Sequence, residues 1–276
     1  INRAAEGYTG WSRSELIGKP FRDFFHPEDL KAAEKRVQEV LSGKARSPIE
    51  LRVRTKSGEY IWGEFLGQPW IVNDKLVGLF GIARDITSRK VMEQALEYHA
   101  KLDKIISSLS SYFINISLDE LDAGINYGLQ EIGAFFGVDR CYLFLISEDE
   151  TKMSISHEWC AEGIEPQIQN LQNLPVKSLH WLVEHLKRRE IFHLPSVRGF
   201  PVKSSAEKKF FKNKKLKSLL CVPIHYGKRL TGFLGFDSVK SEKAWEENTI
   251  IMLRLMGEIF GNLLERKRIE QARIES

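Results

Sequence analysis

The sequence predicts an α+β protein of two domains joined by a long helix, and three observations carry that prediction. Residues 49–54 alternate Ile49, Leu51 and Val53 with Glu50, Arg52 and Arg54, and two further strand-like runs follow across short turns. Residues 91–112 place apolar side chains at alternating steps of four and three, the repeat that lets helices pair side by side. Residues 118–265 open and close on amphipathic helices with strands between them. A chain of 276 residues has the length of two ordinary domains.

The first 48 residues read as short helices and turns. Gly7, Gly10 and Gly18-Lys19-Pro20 punctuate them, Ser12 and Ser14 are caps, and His26-Pro27-Glu28-Asp29 opens a helix reaching residue 41. Strands follow at 49–54, 60–70 and 76–86, turned by Lys56-Ser57-Gly58 and Asn73-Asp74-Lys75. The exit helix starts after Asp85 and Thr87, whose side-chain oxygens suit the unpaired amides of a first turn. Its stripe of Val91, Ala95, Tyr98, Leu102, Ile105, Leu109 and Tyr112 reads as a dimer seam, widened by Met92, Ile106 and Phe113. An amphipathic helix buried in one globular domain is the competing reading of that stripe.

Beyond it, Leu121, Ile125, Leu129 and Ile132 mark a helix over 118–136 that Gly137 closes. Strands are expected at 141–146, 153–159 and 191–195, and a serine-capped helix at 178–189. Strands at 216–225 and 230–238 flank the hairpin Tyr226-Gly227-Lys228-Arg229. A last helix is expected from Glu242 through Trp245, Ile250, Leu253, Met256, Phe260 and Leu263, packed with the opening helix on one face.

Composition narrows the function. The chain is 42% hydrophobic and 28% charged with a net charge of +4, too weakly basic to imply a nucleic-acid partner. Seven lysines between Lys203 and Lys217, with Phe210 and Phe211 among them, read as a solvated face rather than a single-strand platform. There is no apolar run of bilayer length and no signal peptide, and three cysteines make no disulfide framework; a reducing, cytoplasmic location is expected. No nucleophile–base motif, phosphate-binding glycine loop or paired carboxylates point to catalysis. The start at Ile1-Asn2 without methionine, and Arg266-Lys267-Arg268-Ile269-Glu270-Gln271-Ala272 echoing Arg89-Lys90-Val91-Met92-Glu93-Gln94-Ala95, make the chain read as a fragment with another linker beginning at 266–276.

Two family resemblances emerge from chained motifs. Asn2-x-Ala4-Ala5-Glu6, Glu15-Leu16-Ile17-Gly18-Lys19, His26-Pro27-Glu28-Asp29, Lys56-Ser57-Gly58-Glu59-Tyr60-Ile61-Trp62 and Gly81-Ile82-Ala83-Arg84-Asp85-Ile86-Thr87 resemble a PAS domain over residues 1–87. The family's sheet has two earlier strands that this chain lacks, so the edge of strand 76–86 is expected to be open or covered by another chain. Phe136-Gly137-Val138-Asp139-Arg140-Cys141-Tyr142-Leu143, Ser156-His157-Glu158-Trp159-Cys160, Lys217-Ser218-Leu219-Leu220-Cys221-Val222-Pro223-Ile224 and Gly232-Phe233-Leu234-Gly235-Phe236-Asp237-Ser238 resemble a GAF domain over 98–265, which shares the linker helix 88–115. The resemblance implies two sensor domains, a PAS-like antiparallel sheet with short helices and a GAF-like helix/sheet/helix, joined by a coiled coil. It implies signal coupling at Arg84, Asp85 and Thr87, a homodimer through parallel helices, and a downstream histidine kinase or diguanylate cyclase in a bacterial signalling protein. A structural dimerisation module that binds nothing small is the rival reading.

Cofactor chemistry is constrained too. Bilin-binding relatives attach the chromophore to a cysteine in the helix that here reads Ser205-Ala206-Glu207-Lys208-Lys209-Phe210-Phe211-Lys212, so no covalent cofactor is expected. His157 and Cys160 point to opposite faces of a strand, and Cys221 and His225 lie about 13 Å apart, so no metal site is expected. His26 reads as a turn residue rather than a haem ligand. An apolar pocket among Phe21, Phe24, Phe25, Trp62, Trp70 and Phe80 is an alternative to simple core filling. For an unknown small ligand, the chosen face carries His157 and Trp159 beneath the helix of Trp181.

Overall fold

The computed structural model describes residues 3–44, 47–199, 205–245 and 247–275. It divides into two compact units, Ile1–Ala100 and Lys101–Ser276. Asn2, Lys203 and part of the 266–276 echo lie outside the described residues or have undescribed side chains.

In the first unit, α1 (Arg3–Thr9) and α2 (Arg13–Leu16) form the glycine-punctuated start. Ser12 and Glu15 exchange side-chain and backbone hydrogen bonds in a capping box at α2. A 3-10 turn at Pro27–Asp29 leads into α3 (Leu30–Leu41), which lays Ala33 and Val40 inward. His26 serves the turn: its Nδ1 accepts the Glu28 N–H at 3.2 Å. An antiparallel sheet in the order β1 (Ile49–Arg54), β2 (Tyr60–Val72), β3 (Lys75–Asp85) follows. Among the described residues β3 pairs on one side only, and Leu76, Val77, Phe80 and Ile82 are each at least half exposed there. That is the open edge the sequence leads one to expect.

Helix α4 (Thr87–Asn115) continues into the second unit. There α5 (Leu121–Phe136) ends on Gly137, whose φ of +58 is a left-handed cap that a side chain would strain. The sheet runs β6-β5-β4-β9-β8-β7, antiparallel throughout, from β4 (Arg140–Ile146), β5 (Lys152–Cys160), β6 (Leu174–Pro175), β7 (Phe192–Leu194), β8 (Ser218–Tyr226) and β9 (Arg229–Ser238). Helices cover both faces. On one, Leu109 and Phe113 of α4, Ile125 and Leu129 of α5, and Leu253 and Phe260 of α8 (Glu247–Glu275) pack with Cys141, Leu143, Leu234 and Phe236. On the other, α6 (His180–Lys187) and α7 (Ser205–Asn213) supply Leu182, Leu186 and Phe211 to a core with Tyr142, Phe144 and Phe233.

Three expectations need correction. Ser178 lies inside a 3-10 turn, Val176–Leu179, and does not cap α6; the Glu207 carboxylate takes the Trp181 N–H at 2.7 Å instead. The last helix starts at Glu247 rather than Glu242, because Lys243 N–H donates to Ser218 and Trp245 wedges between Phe136 and Phe236 before it. The α4 stripe is not one exposed seam: Leu102 and Leu109 are 2% and 1% exposed within the second unit's own core. Ile105 packs against that core, Tyr112 rests edge-on to Tyr127, and Val91, Ala95 and Tyr98 are solvent-exposed.

Candidate functional site

The three predicted ligand residues do not share a cavity. A register slip in β5 separates them: Leu143 faces His157 and Phe144 faces Ile155, leaving Ser156 as a bulge. His157 therefore turns to the α5 face, where Nε2 lies 3.1 Å from Asp122 and Nδ1 3.0 Å from Ser156. Burial disfavours its protonation, and Lys267 beside Asp122 holds that carboxyl below its usual range. Trp159 packs on the same face, so close that a Cβ on Gly133 would meet its ring at 2.4 Å. Trp181 belongs to the opposite face, edge-on to Phe192 and His185.

That opposite face holds a different cluster. An enclosed cavity of about 30 Å³, room for a water or two, is lined by Arg140, Tyr142, Glu158, Gln167, Lys214 and Asp237 within an apolar wall that includes Phe144, Leu182, Phe210 and Phe211. Adjacent antiparallel strands bring the polar groups together, with Arg140 directly across from Asp237. Arg140 Nη2 is 3.1 Å from Asp237 Oδ2, and the Tyr142 hydroxyl donates to Asp237 Oδ1 at 2.9 Å. Both charged side chains are 5% exposed or less. Burial, only partly countered by Arg140 and Tyr142, pushes the Asp237 carboxyl up to about 6. Arg140 Nε is buried and finds no acceptor among the described residues. Glu158 is spent on the loop, accepting the N–H groups of Gln167 and Ile168 at 2.8 and 2.7 Å. Lys214 reaches Gln167 at 2.9 Å. Gly235 gives the Tyr142 ring its place, since a Cβ there would sit 2.1 Å from it.

A family model for the GAF domain matches residues 121–264, just over half the chain. The chain belongs to the GAF domain family. Residues 1–82 match the PAS fold, which precedes the GAF unit. The methanogenesis regulatory histidine kinase FilI of Methanothrix harundinacea is 28% identical over 97% of this chain, and the chain spans 30% of that relative's length. Two solved GAF domains from cyanobacterial phytochromes share the fold. The phycoerythrobilin-bound one has a TM-score of 0.54 at 14% identity and covers 63% of this chain and 99% of its own. The phycocyanobilin-bound one has 0.51 at 16%, over 63% and 96%.

The GAF unit's thiols are poor reactive groups. Burial raises Cys141 and Cys221 well above the ordinary range and pushes Cys160 up to about 12. Among the described residues no group of three His, Cys, Asp or Glu side chains converges to hold a metal ion. In the PAS unit an open groove of about 370 Å³ runs between α3 and the sheet, lined by Phe21, Phe25, Phe65, Leu79 and Phe80. Phe24, Trp62 and Trp70 are not in its lining. Phe24 packs on Trp11, Arg52 and Lys90 sit on Trp62, and Trp70 is 56% exposed.

The predicted coupling residues form a short relay. Ile86 N–H donates to Trp62 O at 2.9 Å, Trp62 N–H to Thr87 Oγ1 at 3.0 Å, and Thr87 N–H to Asp85 Oδ1 at 2.8 Å. Asp85 thus takes a first-turn amide of α4, while the Thr87 hydroxyl ties the helix start to β2. Arg84 lies across from Glu64 in the ladder.

Proposed function

We propose that the chain is the sensory and transmission region of a dimeric signalling protein, in which the GAF cavity takes a small molecule and the helices carry the response to a histidine kinase module. The observation that supports it most is the buried Arg140 Nε, a desolvated donor without an acceptor among the described residues, on a side chain that lines the cavity. A donor left so is costly, about 1–3 kcal/mol, and a ligand acceptor recovers that cost. The ligand chemistry is a compact molecule presenting a carboxylate or carbonyl oxygen to Arg140, its body against Phe144, Phe210 and Phe211. Its entry displaces the wall formed by α7, because the closed cavity is water-sized. A ligand shifts such an equilibrium only through unequal affinity for the closed and open arrangements. Likeness to FilI supports a kinase output over a diguanylate cyclase. The PAS relay at Asp85 and Thr87 is proposed to pass changes in its sheet to α4.

The small cavity volume also supports the rival reading, a structural module that holds a dimer and binds nothing small. Native mass spectrometry of the purified chain separates them. The sensor reading predicts a retained small molecule that is lost in Arg140→Lys, which keeps the charge beside Asp237 but removes Nε. A bare chain mass for wild type favours the structural module.

A further inference from the structure

Three consecutive basic residues hold the end of α8 to the GAF unit, each on a different element. Arg266 donates to the carbonyls of Phe113 and Ile116 at the end of α4, at 3.2 and 3.0 Å. Arg268 lies over the Tyr226 ring at 5.3 Å and 3.5 Å from Glu148. Lys267 binds Asp122 of α5 and has to share it: Lys267 Nζ and His157 Nε2 both sit on Asp122 Oδ1, the histidine at 3.1 Å. Behind the ring, His157 Nδ1 is 3.0 Å from Ser156 Oγ, and that hydroxyl is 3.2 Å from the Leu143 carbonyl oxygen.

We propose that His157 and Lys267 compete for Asp122, so that acidification hands the carboxylate to the histidine and frees the end of α8 from α5. The competition is local to these groups and independent of what the cavity on the other face binds. Three features point to it. First, the hydrogen bonds have a direction: the Leu143 carbonyl only accepts, so the Ser156 hydroxyl donates to it and offers its own oxygen to Nδ1. With Asp122 accepting at Nε2, the geometry suits an N–H on both ring nitrogens, which is the imidazolium. Second, the proton is held off by what surrounds the ring. The charged groups facing His157 are Asp122 from α5 and Lys267 from α8, with Ser156 on its own strand; burial first, and then Lys267, oppose its charge against the pull of Asp122. Since Lys267 weakens proton binding at His157, that proton weakens the hold of Asp122 on Lys267 by the same factor. Third, the two rivals differ in freedom. His157 is buried with no other carboxylate to turn to, whereas the Lys267 side chain is 28% exposed and swings its ammonium into water on a flexible stem. The lysine is the one that yields.

The test uses the whole 276-residue chain with Cys160→Ser as background and a nitroxide on Ile269→Cys, a 56% exposed position just past the three basic residues. Electron spin resonance should show the label gaining mobility as pH falls below about 6.5, at unchanged circular dichroism. His157→Gln, neutral at every pH, should keep the label restrained throughout, and Lys267→Gln should leave it mobile throughout. In histidine-labelled NMR, Lys267→Gln should make the His157 ring bind its proton at least about threefold more tightly. A label whose mobility ignores pH, or responds equally in His157→Gln, overturns the competition. So does a His157 titration that Lys267→Gln leaves in place, a reading that needs only the surface lysine variant to fold.

Discussion

Asp237 and Arg140 bind each other at the cost of leaving water, and the balance makes their removal informative. Replacing Asp237 with Ala leaves the buried Arg140 guanidinium and the Tyr142 hydroxyl without their acceptor, and a loss of about 3–5 kcal/mol is expected in urea unfolding. The pH dependence has a definite sign. Asp237 has its carboxyl raised from 3.8 to about 6, so the folded state holds that proton more tightly than the unfolded chain. Its contribution is present in full below about pH 4 and lost as pH rises through about 6. His157 works in the opposite sense: with its pKa lowered, stability falls as pH drops below about 6.5. The urea midpoint of wild type minus that of Asp237→Asn, followed from pH 4 to 7, isolates the aspartate and should narrow as pH rises. Gly235→Ala should cost about 1–3 kcal/mol by driving the Tyr142 ring off Asp237, read in the same assay. Arg140, Tyr142 and Asp237 all stand in the sequence blocks that resemble GAF domains, yet their meeting was not legible. Tyr142 and Asp237 are 95 residues apart, and only strand pairing shows that they touch.

At the scale of elements, strands and helices were readable because alternation and helical period leave strong marks, as in residues 49–54 and 121–132. What failed was assignment of faces. The slip at Ser156 flips every side chain after it, and nothing in Ser154-Ile155-Ser156-His157 announces it. The α4 stripe misled for a related reason: a helix packing on its own domain and one packing on a twin use nearly the same spacing. Leu102 therefore has a different expected phenotype from an exposed seam residue. Leu102→Ala should destabilise the GAF unit by about 2–5 kcal/mol, whereas Val91→Ala, at a site 59% exposed, should stay within about 0.5 kcal/mol in the same chemical-denaturation experiment. In the PAS unit Thr87→Val removes the acceptor of the Trp62 N–H; a cost of about 1 kcal/mol and faster amide exchange at Trp62 are expected, measured by NMR.

For the molecule as a whole, the GAF sheet separates two tasks. One face is filled by α4, α5 and α8 and supplies helices that leave the domain; the other encloses a buried ion pair with a spare donor. Signalling requires the two faces to be coupled through β4 and β9, whose alternate residues line both. The most direct measurement is the autophosphorylation rate of a histidine kinase core fused in frame after Ser276, in cell extract that supplies the native small molecules. Arg140→Lys, folded to the same extent as wild type, is expected to change that rate at least about threefold, or about 0.65 kcal/mol in barrier. An unchanged rate would contradict the coupling.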